Sequence, residues 1–344
     1  MININYSNEL NNFDHIKTTA MLSIVVYHSM ALWMPGGWFT QPPAEANYVL
    51  GHIAQWLNFL HIYIFVFASG YLYSYLRVEI KKYGTYKELL VKKAKRLLIP
   101  YFFVSAVWCV PLYKIFYDAT SENIILNFVF GFGPSQLWFL LMLFVTFAII
   151  YYPTPYICSL SIRKMAVLCL LIYILYLAIG VIISLPFQIG ASIKFIPYFI
   201  LGMNFNKYST YIKAKMKWLV FLMINLTSYF LYCILPDGFL TLKIIKSILP
   251  YFISIAGIFF IISLFNKFQN RKIWRSKIYK FLLNNSFSIY LFHQQIIWWT
   301  ITIWNGILPP VLLAVMNFGV SLFLSALISV VLNRFKVTRF LIGG

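Results

Sequence analysis

A polytopic bundle of transmembrane α-helices is the fold class this sequence predicts, on three observations. Of its 344 residues, 61% are hydrophobic, 20% aromatic and only 10% charged, whereas a soluble domain carries about 25% charge. Apolar runs long enough to cross a bilayer, about 20 residues each, recur along the whole chain between short polar segments. The 28 Lys and Arg are shared unevenly among those segments, the bias that orients membrane proteins. The net charge of +20 therefore reads as a topology signal rather than a nucleic-acid footprint, since no soluble basic module holds it.

About ten spans follow from this pattern. The first runs from about Ile16 to Met34 and ends at Pro35-Gly36-Gly37. It follows a polar leader with no small-residue cleavage site, so it reads as a retained helix. The second covers roughly His52 to Tyr75 and holds His61, Ser69 and Gly70. A basic segment, Arg77 to Arg96, precedes the third span, Leu97 to Tyr117. Asn123 to Pro134 is apolar but broken by Gly131, Gly133 and Pro134, which suits a surface or re-entrant segment. The fourth span begins near Gln136 and stops at Tyr152-Pro153, and the fifth is Met165 to Leu185. The sixth, Phe187 to Phe205, is interrupted by Lys194, which either snorkels or lines a cavity, and by Pro197. Trp218–Leu235, Ile248–Phe265, Phe287–Trp304 (with His293) and Leu308–Leu332 complete the set. The chain reads as one membrane domain over residues 1–344 with no fused soluble domain.

With the N-terminus in the cytoplasm, all but four of the 28 Lys and Arg fall on that side. The four left outside are Lys114, Lys194, Lys243 and Lys246. An even number of spans with both termini cytoplasmic follows. Cys109, Cys158, Cys169 and Cys233 have no metal-type spacing and read as unpaired packing residues, and no metal is expected.

Chemistry concentrates in the first span. Asp14, Lys17 and His28 share one stripe at 100° per residue, and a polar stripe on a membrane helix faces a bundle interior or a wet cavity. His28 reads as a general base, because a buried imidazole stays neutral and able to take a proton; the competing reading is a packing histidine. His61 and His293 are supporting candidates on the same grounds, while His15 and His52, near the interfaces, read as structural. Lys17 either holds an anionic donor or anchors topology by pairing with Asp14, and Asp14 is equally placed to cap the helix. The run Lys92-Lys93-Ala94-Lys95-Arg96 suits the phosphates of a coenzyme A ester, though attraction to anionic lipid accounts for most of its lysines. No phosphate-binding glycine loop, HExxH or Gly-x-Ser-x-Gly elbow is present. The carboxylates are too few and too peripheral for a paired-carboxylate glycosidase.

Phe13-Asp14-x-x-Lys17 followed by Val25-Val26-Tyr27-His28 resembles the first helix of membrane acyltransferase family 3, the integral membrane O-acyltransferases that modify bacterial glycans. The resemblance continues through Phe65–Leu72, Lys95–Pro100, Leu137–Leu140, Pro197–Gly202 and Ser286–His293, nearly the whole chain in the family's order. It implies a ten-helix enzyme of the bacterial cytoplasmic membrane that moves an acyl group, acetyl or succinyl, from cytoplasmic acyl-CoA to a hydroxyl of a glycan or lipid-linked sugar. Carried over, His28 matches the essential first-helix histidine and Arg96 an arginine of the basic motif entering the third helix. Lys17 stands where many members carry arginine, although members resembling fucose 4-O-acetylases also show Phe-Asp-x-x-Lys.

The expected mechanism is direct transfer, with His28 as base and Lys17, Arg96 and Lys93 holding acetyl-CoA or another acyl-CoA. A covalent route through Ser23, Ser69 or His28 is the variant. Asp14, His61, Ser69 and His293 are the supporting residues. Membrane lipids, and polysaccharide-synthesis machinery, are the expected partners besides the donor and acceptor. The rivals are a transporter or flippase for glycan or lipid intermediates, which would show internal symmetry and broken helices at matching positions, and a structural partner in a polysaccharide-synthesis complex.

Overall fold

The computed structural model describes residues 6–344 except 183, 216, 237 and 269–271; the side chains of residues 6–14, 181, 182, 206, 209–215, 273 and 275 are likewise not described. In chain order the principal helices are α1 (Tyr6–Met30), α2 (Tyr48–Asn58), α3 (His61–Ser74) and α4 (Tyr86–Tyr117). After them come α5 (Trp138–Ile150), α6 (Ile162–Ile182), α7 (Ile189–Lys215) and α8 (Trp218–Ile234). The last four are α9 (Leu240–Phe268), α10 (Lys277–Trp304), α11 (Pro310–Asn333) and the short α12 (Lys336–Leu341). No β-strand occurs among the described residues. Five helices there are long and apolar enough to cross a membrane: Tyr48–Glu79, counted through a break, α4, the Ile162–Gly180 part of α6, α9 and α11. The protein is an all-α, multi-pass membrane bundle.

Several expectations are corrected in detail. α1 is already helical at Tyr6, so Asp14 lies inside it and does not cap it; its side chain is outside the described residues. The second span is broken at Phe59–Leu60, which makes His61 the first residue of α3. The basic run lies on a helix rather than in a loop, because α4 starts at Tyr86, where Thr85 caps it through the Glu88 amide. Lys194 and Pro197 do not interrupt the sixth span: α7 runs through both. A bundle tolerates the backbone bond a proline removes, since neighbouring helices keep its freed carbonyl from lipid.

Helix α4 carries two wide π turns, Ala94–Leu98 and Ser105–Cys109. Each ends two residues before a proline, Pro100 and Pro111. Proline lacks the N–H its i−4 carbonyl needs, and the helix answers with i→i+5 bonds from Ile99 to Ala94 and from Val110 to Ser105. Arg96 sits in the first of these turns.

α1 is the hub, packing against α2, α3, α9, α10 and α11. The tightest crossing is between α3 and α7, where Gly70 and Gly202 face each other's backbone. A methyl at Gly70 would lie 2.1 Å from the Phe199 carbonyl oxygen, and one at Gly202 would lie 2.0 Å from that of Phe67. Small residues at membrane helix crossings allow this approach. It is the physical content of the Ser69-Gly70 and Leu201-Gly202 landmarks.

Candidate active site

His28 and His293, far apart in sequence, meet where α1 packs on α10. His28 Nδ1 and His293 Nε2 are 2.8 Å apart, and His293 Nδ1 is 2.8 Å from the Tyr290 carbonyl oxygen. A carbonyl only accepts, so His293 carries its proton on Nδ1 and offers a lone pair at Nε2. His28 must then donate from Nδ1, which leaves its Nε2 unprotonated. His61 is fixed in the same way: its Nδ1 donates to the Leu57 carbonyl oxygen at 2.6 Å. The break between α2 and α3 is what exposes that carbonyl. The Tyr27 ring lies between the two, with centroids 4.7 Å from His28 and 4.7 Å from His61.

The backbone beside His28 is held from a third helix. Asn317 of α11 donates to the Ser29 carbonyl oxygen at 3.1 Å and accepts from Thr300 of α10 at 2.6 Å. The neighbouring wall is a reciprocal amide pair, in which Gln136 and Gln295 each donate to the other at 2.8 Å. Gln136 also donates to the Leu291 carbonyl oxygen at 2.7 Å, and Trp108 to Gln295 at 3.1 Å. The Tyr290 hydroxyl donates to the Gln136 carbonyl oxygen.

These groups surround a cavity of about 360 Å³ lined by His28, His61, Tyr27, Trp38, Trp138 and several amides. Asn58 and Gln294 are among the lining residues that sequence reasoning missed, and among the described residues their amides have no partner in the protein. An amide buried in an apolar helix is the signal that would have found Gln294. Trp38, in the loop after α1, lies over His28 at 5.2 Å. That loop is pinned by Asn305, which accepts from the Ala44 N–H and donates to the Pro42 carbonyl oxygen, both at 2.9 Å. Opposite it, Gln188 ties two loops by donating to the carbonyls of Gly131 (2.6 Å) and Phe132 (3.1 Å). Gln188 and Ser135 line the cavity with φ of 58° and 49°, a conformation that costs about 1–3 kcal/mol and gathers at functional sites.

The three expected donor-binding cations also come together, at the other end of α1. Lys93 feels the charges of Lys17, Arg96 and Lys82 most strongly of its neighbours. Its ammonium lies 3.7 Å from the Phe147 ring centre and 5.4 Å from that of Tyr83. Lys17 and His28 stand about 16 Å apart along the helix, at about 1.5 Å per residue. Ser69 is not part of the cavity; its hydroxyl donates to the Phe65 carbonyl oxygen of its own helix at 2.9 Å. Ser23 does the same towards Thr19. His15 meets Tyr279 (3.1 Å) and His52 meets Tyr229 (3.2 Å), both away from the cavity. Among the described residues no three metal-ligating side chains converge.

No curated protein and no solved structure matches this chain. A family model described as an acyltransferase domain matches residues 10–334, a stretch that takes in the histidine pair, the cavity and the basic cluster. The chain belongs to acyltransferase family 3 and is a membrane acyltransferase.

Proposed function

We propose that this enzyme transfers an acyl group, acetyl by first expectation, from acyl-CoA to a hydroxyl of a cell-surface glycan or its lipid-linked precursor, in a bacterial cytoplasmic membrane. The observation that carries the reading is the directed chain Tyr290 carbonyl, His293, His28. It leaves a basic Nε2 on a residue that lines the cavity. In the proposed step the acceptor hydroxyl gives its proton to His28 Nε2 while its oxygen attacks the thioester carbonyl. The C–S bond then breaks, and the departing thiolate takes that proton from His28 Nε2. The imidazolium formed in between is stabilised by its Nδ1–H bond to His293, a charge-assisted hydrogen bond.

Asn58 and Gln294 offer amide donors for acceptor hydroxyls or for the oxyanion, and Trp38 and Trp138 offer ring faces on which a sugar stacks. Lys17, Lys93 and Arg96 hold the phosphates of the donor. Phosphates cannot cheaply leave water, so the pantetheine arm spans the distance to His28. Direct transfer is favoured over an acyl-serine, because Ser23 and Ser69 are both committed to carbonyls of their own helices. The test is purified protein with radiolabelled acetyl-CoA and a panel of glycans. Label transferred to an acceptor hydroxyl supports the reading. Uptake of acceptor without transfer would replace it with a transporter.

A further inference from the structure

Lys194 takes no part in this chemistry, yet an ammonium inside a membrane bundle calls for a partner. It lies on α7 about 8 Å from the helix's first residue, at about 1.5 Å per residue. That is the cavity end of the bundle, since Gln188, just before α7, lines the cavity. A snorkelling lysine would extend its head towards water. Lys194 instead holds its ammonium against the bundle: it is 5.9 Å from the Tyr63 ring centre and 5.5 Å from that of Phe195. Those two rings are only 3% and 4% exposed. The ammonium also lies 5.7 Å from the Tyr176 ring centre. Lys194 forms no ion pair among the described residues, so no described acid neutralises it.

The helices around Lys194 do not all pack on one another. α6 leans on α7 and α8 on α9, but α6 and α8 share no packed face. Tyr176 of α6 and Tyr232 of α8 both lie near Lys194. Tyr173 of α6 is tied to α9 by donating to the Ser247 carbonyl oxygen at 3.2 Å. A second cation, Lys246 of α9, lies 5.6 Å from the Tyr232 ring centre. Apolar surroundings, tyrosine hydroxyls and two lysines match an amphiphile that is anionic at its head and hydrocarbon below.

We infer that Lys194, Tyr63, Tyr176 and Tyr232 form a binding site for the phosphate of a membrane lipid that enters sideways between α6 and α8. The site requires no step of acyl transfer and stands apart from that reading. Native mass spectrometry of the purified full-length protein, with phosphatidylglycerol, phosphatidylcholine or inorganic phosphate as probes, tests it. Phosphatidylglycerol should stay bound to the wild type and to Lys194→Arg. Its affinity should fall about tenfold in Lys194→Met, the scale of one charge-assisted hydrogen bond. Lys243→Met removes an exposed cation of the same end and should change nothing. Equal retention by wild type and Lys194→Met, or equal losses from Lys194→Met and Lys243→Met, would overturn the site. Displacement of the lipid by equimolar inorganic phosphate would overturn its assignment to a lipid. If Lys194→Met does not purify, Tyr232→Ala, which removes a neighbouring ring and leaves the ammonium, must weaken phosphatidylglycerol while sparing phosphatidylcholine; unchanged retention of both lipids would likewise refute the proposal.

Discussion

In the proposed mechanism the two nitrogens of His28 have separate tasks, and the mutational response should separate them too. Replacing His28 with Ala removes the base and should lower kcat by about 10²–10⁴-fold in protein that still inserts and purifies. Replacing His293 with Ala leaves the base but frees its tautomer and deprives the imidazolium of an acceptor. The loss there should be smaller, about 10–100-fold, the size of a hydrogen bond to a charged group. The double variant should be no worse than His28→Ala alone, because groups acting as one unit are not additive. Steady-state kinetics on the three variants checks this, and an additive double variant would break the proposed chain. The sequence made His28 legible because a polar residue in an apolar helix is expensive and calls for a reason. It did not show the pairing with His293, since nothing in spacing brings residues 28 and 293 together; only the packing of α1 on α10 does. Asn58 and Gln294 stayed hidden because a lone amide carries no spacing signature.

At the scale of elements, the α3–α7 crossing fixes the helix whose first residue is His61. Gly70→Ala or Gly202→Ala places a methyl where a carbonyl oxygen stands 2.1 or 2.0 Å away. The helices must separate, and overpacking of this kind costs about 1–3 kcal/mol. Thermal unfolding in detergent should show a lower midpoint for each. Gly180 in α6 and Gly319 in α11 have nothing within 4 Å of an added methyl, so alanine there should be neutral or slightly stabilising. Equal behaviour at all four positions would mean that the close approach does not limit stability. The donor cluster depends on a different device, the π turn before Pro100. Removing the charge at Lys17 or Arg96 should raise the KM for acyl-CoA more than it changes acceptor preference, and Lys17→Arg should keep more activity than Lys17→Ala. Unchanged donor KM across these variants would reduce both residues to topology anchors. Hydropathy located most helices, because length and composition suffice for that. The break before His61 and the passage of α7 through Pro197 were not legible, because tertiary packing decides whether a freed carbonyl is satisfied.

For the whole molecule the consequence is directional. The cations Lys17, Lys93 and Arg96 cluster at one end of α1, and His28 lies about three turns further along beneath Trp38 and the loop pinned by Asn305. If the basic end faces the cytoplasm, as the distribution of Lys and Arg argues, acyl-CoA approaches from the side where it is made. Its phosphates stay at the mouth, and the thioester alone reaches the cavity. The acceptor approaches from the opposite face, past Trp38, Trp138 and the loops joined by Gln188. Neither substrate then has to cross the bilayer; only the acyl group does. Sealed vesicles of known orientation test this. Acylation should proceed with acyl-CoA on the side of the basic end and glycan on the other. It should fail when the donor is moved to the glycan's side. Acylation confined to vesicles carrying both substrates on the cytoplasmic face would mean that the cavity opens only there, and the transmembrane route would be lost even if His28 remains the base.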